Sequence, residues 1–148
     1  MPRDNDMQAN FSKLDPEMKI PTRAHIGDAA VDLQTRIDFS LEPGEREAVP
    51  TGLAVAIPEG FAGLVLPRSG HALRSGIGVV NGPGLIDSGY RGEVAVLLIN
   101  HGSERVDFVK GDRIAQLAVV PMVPVDWVEV ETLDDTQRGP DGFGSTGS

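Results

Sequence analysis

Short runs of hydrophobic residues, separated by turns, make up most of the chain. The turns contain glycine, proline, asparagine or aspartate, and no segment shows the 3.6-residue periodicity of a long helix. Many short strands joined by frequent turns are typical of a β-sandwich or barrel. The pattern therefore predicts an all-β fold, a distorted jelly-roll-like sandwich or barrel with one short helical turn at residues 72–75. The predicted strands are the runs at residues 53–57, 62–66, 94–99, 114–120 and 123–130.

Two of these runs are apolar on both faces of the strand. They are residues 94–99 and most of residues 114–120, where Gln116 interrupts the run. A strand that is apolar on both faces is buried on both faces. In a domain this small, we expect one face to pack on the core and the other on a partner subunit. Trp127, the single tryptophan of the chain, is expected in the core or in such an interface.

Length and patterning indicate one domain with loose ends. The 148 residues suit a single domain with a substantial core. We predict one β domain over residues 1–133, of which residues 1–17 are poorly ordered. Residues 134–148 are predicted to form a flexible C-terminal arm that leaves the domain.

Composition and charge exclude several classes of function. The chain has no cysteine, which excludes disulfides, thiolate zinc sites and cysteine nucleophiles. No stretch has transmembrane length and the polar N-terminus lacks the apolar core of a signal peptide, so we expect a cytoplasmic protein that binds no membrane. The net charge of -9 argues against nucleic-acid polymers as partners. A small polyanion could still bind where a few arginines and a metal ion converge.

Residues 84–92 carry the sharpest internal pattern, G-L-I-D-S-G-Y-R-G. Asp87 follows two apolar residues, and burial beside apolar surface would suit its carboxylate to general-base chemistry. Tyr90 offers a flat ring for contact with a sugar. A β-hairpin turn is the alternative interpretation, because D-S-G is also favourable turn chemistry.

Other polar residues lie at the ends of predicted strands or within them. Arg68, Ser69 and Gly70 follow a strand, and their guanidinium, hydroxyl and backbone N–H groups could form an anion site; the alternative is a solvated loop arginine. Asp32, in A-A-V-D-L, is expected to be semi-buried and to need a metal-bound water or an ion pair. Gln116 must be satisfied by protein, water or ligand.

The last eleven residues read R-G-P-D-G-F-G-S-T-G-S. Arg138 can form two hydrogen bonds to phosphate oxygens, and the hydroxyls of Ser145 and Thr146 add donors. The ring of Phe143 can lie on a base or a sugar. An inert, flexible terminus is the alternative interpretation of such a glycine-rich tail.

Taken in order, five motifs resemble those of the homotrimeric dUTP pyrophosphatases (dUTPases), especially the bacterial members. They are A-A-V-D-L, P-R-S-G, G-L-I-D-S-G-Y-R-G, R-I-A-Q-L and R-G-P-D-G-F-G-S-T-G, and they span the chain from about Thr22 to the C-terminus. The resemblance implies Mg²⁺-dependent hydrolysis of dUTP to dUMP and pyrophosphate by a homotrimer with shared active sites. This reaction would keep uracil out of DNA and supply dUMP for dTMP synthesis.

The resemblance also implies a role for each matching residue. Asp87 would activate a water for in-line attack on the α-phosphorus, and Asp32 would hold Mg²⁺ through water. The turn at Asn81 would pair with uracil and the ring of Tyr90 would lie under the deoxyribose. The residues implied in substrate binding are Arg68, Ser69, Gly70, Asn81, Leu85, Ile86, Tyr90, Gln116, Arg138, Phe143, Gly144, Ser145 and Thr146.

Two other functions are weighed against this one. A dCTP deaminase is similar in fold and has a P-R-S-like motif, but its proton shuttle is a glutamate. The comparable position here is Leu97, which cannot carry a proton. A noncatalytic dUTP-binding β module is the alternative from a different class. Such a module would keep the strands, but it has no need to keep Asp87, Tyr90 and the phosphate-binding arm together.

Overall fold

The computed structural model describes residues 7–140. Within them the chain forms ten strands and one short helix. In chain order these are β1 Asn10–Lys13, β2 Ala30–Gln34, β3 Phe39–Leu41, β4 Arg46–Ala56, β5 Phe61–Leu66, α1 Ser69–Ser75, β6 Ile77–Val79, β7 Gly84–Ile86, β8 Glu93–Asn100, β9 Val106–Phe108 and β10 Arg113–Pro121. No helix in this part of the chain is long and apolar enough to cross a membrane.

Two four-stranded antiparallel sheets carry most of the strands. One sheet has the order β1-β4-β8-β6, the other has the order β2-β10-β5-β7, and β3 and β9 form a separate pair. Side chains from both large sheets meet in one core, which includes Leu33, Val49, Val65, Val96 and Leu117. The prediction of an all-β sandwich-like fold is therefore confirmed.

Strand β8 shows how alternation builds this core. Val94, Val96 and Leu98 are buried, whereas Ala95 and Leu97 on the other face are exposed. Successive side chains of a strand point to opposite faces, so one face of the apolar run enters the core. One face of the run packs on the core, as expected. The other face, for which we expect a partner subunit, is an apolar surface in the single chain.

The helix is longer than the single turn predicted at residues 72–75. It begins at Ser69, directly after Arg68, and it ends at Gly76, which has a φ of 68°. The Gly76 N–H donates to the carbonyl of Ala72, and this left-handed conformation favours glycine. A Cβ at Gly76 would lie 2.6 Å from the backbone nitrogen of Gly102. The helix therefore turns sharply into β6 at a position that only glycine fits.

Two segments near the chain ends differ from their predicted form. Asn10–Lys13 form the edge strand β1, which pairs with β4, whereas the poor order expected of residues 1–17 stays a prediction. Residues 123–130 form no strand in this single chain, so the strand predicted there is wrong. Trp127 is 93% exposed there, so it does not belong to the core.

Candidate active site

A cavity of about 270 Å³ lies between β7 and the first half of β8. Its walls include five residues that the sequence placed in substrate binding or catalysis: Asn81, Leu85, Ile86, Asp87 and Tyr90. Residues from the turn before β7, from β7 itself and from the turn after it therefore face one space. We call this space the nucleoside cavity, after the ligand that the resemblance implies for these residues.

Asp87 directly follows β7 and begins a tight turn at the edge of the cavity. The Tyr90 N–H donates to the Asp87 carbonyl over 3.1 Å, so a turn forms here. It is not the β-hairpin of the alternative interpretation, because β7 and β8 belong to different sheets. The Arg91 Nη1 atom donates to the carbonyls of Ser88, at 2.6 Å, and of Tyr90, at 2.8 Å. Asp87 is exposed in the single chain, contrary to the expected apolar surroundings. The hydrogen bonds from Arg91 therefore hold the backbone of the turn, while the Asp87 carboxylate stays exposed.

The ring of Tyr90 is held over the backbone that follows it. Its hydroxyl donates to the Glu93 carbonyl over 2.8 Å. A Cβ at Gly92 would lie 2.7 Å from the Cζ atom of this ring, so the ring occupies the space that a side chain at Gly92 would fill. The Tyr90 ring, held by this hydrogen bond, therefore forms one wall of the nucleoside cavity.

The turn that carries Asn81 joins strands from different sheets. β6 pairs with β8, whereas β7 pairs with β5, so this turn is not a simple hairpin. The Val80 N–H donates to the Leu97 carbonyl over 2.8 Å. A Cβ at Gly84 would lie 3.4 Å from the Asn81 Nδ2 atom. Glycine at this position lets the amide approach β7 closely.

A second group of predicted residues lies on the outer face of the β2-β10-β5 sheet. Gln116 is the direct partner of both Asp32 and Leu66, so the three side chains share one face. The Gln116 Nε2 atom donates to the Pro67 carbonyl over 2.9 Å. Within this chain the amide is thus satisfied by protein, the commoner of the alternatives.

Asp32 is half-buried and ion-paired. Its Oδ1 atom lies 2.9 Å from Arg68 Nε, and its Oδ2 atom lies 3.4 Å from Arg113 Nη1. The ion-pair alternative therefore describes Asp32 in this structure, and Arg68 is not a solvated loop residue. Among residues 7–140 no cluster of three or more histidine or carboxylate side chains could hold a metal ion by itself. We call Asp32, Arg68, Arg113 and Gln116 the polar cluster.

The first residues of α1 border the polar cluster. Ser69 and Gly70 follow Arg68 directly. A Cβ at Gly70 would lie 3.1 Å from the Nη1 and Nη2 atoms of Arg74, so glycine leaves room for this guanidinium.

In one chain the polar cluster and the nucleoside cavity are separate. The surface depression that contains Asp32, Arg68 and Gln116 shares no lining residue with the nucleoside cavity. Val65 lines the cavity and the adjacent Leu66 lines the depression. A single chain therefore does not assemble all the predicted residues into one space. Four predicted site residues lie outside the described residues: Phe143, Gly144, Ser145 and Thr146. Arg138 lies near the C-terminal end of the described range.

Sequence reasoning missed several residues that hold these groups in place. The His71 Nε2 atom lies 2.9 Å from the Arg113 carbonyl oxygen, and its ring meets Phe108 edge-on. Glu93 lines the nucleoside cavity and pairs with Arg36. The sequence already places His71 near a predicted site, because it follows Gly70 directly, but it predicted no contact for the ring. No local sequence pattern indicates that Arg36 pairs with Glu93, because 57 residues separate the two.

Comparison with known proteins assigns the family. The sequence model of the dUTPase family matches residues 16–147. A deoxyuridine 5'-triphosphate nucleotidohydrolase of Nocardia farcinica is 56% identical over 91% of this chain and 82% of its own length. The enzyme of the same name from Corynebacterium glutamicum is 54% identical over 91% of both chains.

Solved structures agree with the sequence comparison. A Staphylococcus bacteriophage 80alpha dUTPase with dUpNHpp has a TM-score of 0.88 and 28% identity, over 95% of this chain and 99% of its own. A mutant dUTPase from phage phi11 of S. aureus, described with a structural Mg(II) ion, has a TM-score of 0.79 and 26% identity, over 85% and 98% of the two chains. The predicted resemblance is confirmed, and the chain belongs to the dUTPase family.

Proposed function

We propose that this chain hydrolyses dUTP to dUMP and pyrophosphate, and so keeps uracil out of DNA and supplies dUMP for dTMP synthesis. One observation carries the proposal beyond family membership. Asp87 stands at the edge of a cavity that also contains Asn81 and Tyr90, so a possible base lies beside a space of nucleoside size. Nucleotide hydrolysis of this kind belongs in the cytoplasm, where we propose that the protein acts.

Asp87 is the proposed general base. The carboxylate takes a proton from water as the water oxygen bonds to the α-phosphorus of dUTP. The bond from the α-phosphorus to its bridging oxygen breaks, and the leaving electron pair stays on pyrophosphate. The turn braced by Arg91 supports this role, because a base must be held within hydrogen-bond distance of its water.

The nucleoside cavity is proposed to select deoxyuridine. The backbone around Asn81 would pair with the uracil edge, with Leu85 and Ile86 forming apolar walls. A tight wall excludes the C5-methyl group of thymine, and backbone groups that match a carbonyl at position 4 are mismatched by the amino group of cytosine. The ring of Tyr90 would lie under the deoxyribose.

The polar cluster is proposed to bind the triphosphate, with Ser69 and Gly70 beside it. Arg68 would exchange its contact with Asp32 for phosphate oxygens, because a guanidinium forms paired hydrogen bonds with phosphate. Gln116 would lie near the α-phosphate. Asp32 would then be available to hold Mg²⁺ through water, which suits an ion that keeps several of its waters. The ion supplies positive charge to the phosphates when it is bound.

The assembly is proposed to be a homotrimer with shared active sites. Two observations support it: the nucleoside cavity and the polar cluster lie apart in one chain, and Trp127, Val128 and Leu133 are more than three-quarters exposed. The C-terminal arm is proposed to close the site. Phe143 would lie over uracil, while Arg138, Gly144, Ser145 and Thr146 would contact the phosphates.

The test is pyrophosphate release from dUTP, dCTP, dTTP and UTP. We expect turnover of dUTP in strong preference to the other three. Asp87→Asn keeps the side-chain volume but removes the base, so we expect it to lower kcat by about 10²–10⁴-fold. Equal turnover of dUTP and dTTP, or full activity of Asp87→Asn, would refute the assignment.

Measuring ammonia release beside pyrophosphate release separates the alternatives. A dCTP deaminase would release ammonia from dCTP, but Leu97 lines the nucleoside cavity at the position comparable to the glutamate proton shuttle. We therefore expect no ammonia. A noncatalytic dUTP-binding module would bind dUTP with no pyrophosphate release from the wild-type protein.

A further inference from the structure

Glu93 has a carboxylate that is fully engaged within the protein beside the nucleoside cavity. Arg36 Nη2 donates to its Oε2 atom over 3.0 Å, and the backbone N–H of Gly52 donates to Oε1 over 2.8 Å. Arg36 Nε lies 2.9 Å from Oε1, without hydrogen-bond geometry. Only 24% of the Glu93 side chain and 35% of the Arg36 side chain are exposed. Partial burial and the charge-assisted hydrogen bond from Arg36 Nη2 make this pair stronger than the exposed ion pairs of the surface.

These contacts cross an irregular part of the sheet. The ladder between β4 and β8 shifts register between Pro50 and Ala54, so regular strand pairing is interrupted where β8 begins. Gly52 lies inside this bulge with a φ of 71°. The Glu93 side chain therefore replaces part of the missing backbone ladder, since it accepts the Gly52 N–H. The first residue of β8 is held by a carboxylate as well as by strand pairing.

The start of β8 also holds the ring of Tyr90. The Tyr90 hydroxyl donates to the backbone carbonyl of Glu93 over 2.8 Å, and the space above Gly92 admits the ring. The Glu93 side chain holds Glu93 in place through Arg36 and Gly52. The backbone carbonyl of Glu93 in turn holds the Tyr90 hydroxyl. A shift of this carbonyl would move the ring, because within the described residues the Tyr90 hydroxyl donates to this carbonyl alone.

We propose that Arg36 and Glu93 are positioning residues that set the discrimination between deoxyribose and ribose through Tyr90. This inference rests on the proposed function, because it assumes that Tyr90 lies under the sugar. We assign neither side chain a contact with the substrate, because the Glu93 carboxylate is taken up by Arg36 and by the Gly52 N–H. A ring held close to the sugar leaves no room for a 2′-hydroxyl, and a ring that can retreat admits it. The pair therefore acts on the ratio of activities with dUTP and UTP rather than on the chemical step.

The experiment measures kcat/KM for pyrophosphate release from dUTP and from UTP. Glu93→Gln keeps the shape of the side chain but loses the charge, and we expect the dUTP-to-UTP ratio to fall about tenfold, with KM changed more than kcat. Arg36→Met should give the same fall. Arg36→Lys keeps the charge without the planar two-nitrogen contact, so its ratio should lie between those of Arg36→Met and the wild type.

The Tyr90→Phe variant tests whether the change in the dUTP-to-UTP ratio depends on the Tyr90 hydroxyl. This variant removes the hydrogen bond to the Glu93 carbonyl, and we expect it to lower the ratio as Glu93→Gln does. Adding Glu93→Gln to Tyr90→Phe should lower the ratio no further, because both changes break one chain of contacts. A merely structural role of Glu93 would lower both activities together and would add to the effect of Tyr90→Phe.

Glu42→Gln is the matched control. Glu42 pairs with Arg105 at 3.2 Å on the exposed surface and does not line the nucleoside cavity, so its ratio should equal that of the wild type. Thermal unfolding identifies any variant that fails to fold, and Arg36→Lys then replaces it in the comparison. A folded Glu93→Gln or Arg36→Lys variant with an unchanged ratio overturns the inference. Failure of the wild-type protein to hydrolyse dUTP would instead overturn the proposed function.

Discussion

The ring of Tyr90 lies against the backbone of Gly92, and this contact shows how one missing side chain shapes the site. A Cβ at Gly92 would lie 2.7 Å from Tyr90 Cζ, which is too close for carbon atoms. No left-handed backbone is involved at this glycine, so steric contact alone excludes a side chain. The glycine therefore defines where the ring can be, and the Glu93 carbonyl defines where its hydroxyl points.

Gly92→Ala should displace the ring without unfolding the protein. Misplacing a contacting group by about 1 Å can cost 10²-fold in rate, so we expect kcat/KM for dUTP to fall about 10- to 100-fold. Gly89→Ala is the control in the same turn, because a Cβ there meets nothing within 4 Å. Kinetics and thermal unfolding are measured on both variants. Equal activity of the two alanine variants would contradict the proposed contact.

At the scale of elements, the N-terminal segment is held by charges as well as by β1. The Nζ atom of Lys110, in the loop before β10, lies 2.8 Å from Asp15 Oδ2 and also pairs with Glu17. The Leu14 N–H donates to the Gly52 carbonyl over 2.7 Å. The hydrogen bond from Lys110 holds the pKa of Asp15 below its usual 3.8, and the same bond raises the pKa of Lys110 above 10.5. The segment is thereby joined to the loop before β10 and to the bulge in β4.

These pKa shifts predict how stability depends on pH. A lowered pKa of Asp15 gives a contribution that is present above about pH 3.8 and is lost as the pH falls through the lower folded value. A raised pKa of Lys110 gives a contribution that is present below about pH 10.5 and is lost as the pH rises through the higher folded value. The ion pair should therefore stabilise the fold at neutral pH.

Lys110→Met should lower the free energy of unfolding at pH 7, and the difference from the wild type should shrink below pH 3.8 and in 1 M salt, where screening is strong. Urea unfolding at each pH measures the free energy of unfolding of the variant and of the wild type. Lys13→Met is the control, because Lys13 is exposed in β1 and no ion pair is found for it among residues 7–140. A difference for Lys110→Met that persists unchanged at low pH would show that the lysine acts through packing.

At the scale of the whole molecule, one chain leaves apolar surface uncovered. Val123, Trp127, Val128 and Leu133 are each at least 80% exposed, although the sequence from 123 to 130 has the composition of a strand. Exposed apolar groups of this number usually mark an interface. The separation of the nucleoside cavity from the polar cluster points in the same direction, because a second subunit could bring the two together.

Light scattering should give a particle with three times the mass of one chain. Trp127 fluorescence should shift to longer wavelength if dilution separates the subunits, because the indole would then meet water. A stable monomer that hydrolyses dUTP at the full rate would contradict a shared active site.

Deletion of residues 138–148 tests the proposed arm. The core residues all precede this segment, so we expect thermal unfolding close to that of the full chain. Loss of Arg138, Phe143, Ser145 and Thr146 removes the proposed contacts with base and phosphates, so dUTP turnover should collapse. Normal turnover by the shortened, folded chain would show that the tail has no catalytic role.

Local sequence patterns predicted much of this molecule. Alternation and turns gave the all-β fold, and the runs at 53–57, 62–66, 94–99 and 114–120 each lie within or overlap a strand of the structure. The motif around Asp87 and Tyr90 placed both residues at one cavity. The run at 123–130 was misassigned, since a strand needs a partner strand and no local pattern shows whether one is available.

Hydrophobic alternation and motif order are properties of neighbouring residues, so the sequence by itself determined the fold class, the family resemblance and the candidate base Asp87. The tertiary structure alone decided which distant residues meet. Asp32 pairs with Arg68 and Arg113, and Arg36 pairs with Glu93, because register and a bulge in β4 bring these side chains together. Such contacts depend on strand pairing across the whole sheet, and the residue types along one segment do not show which strands will pair.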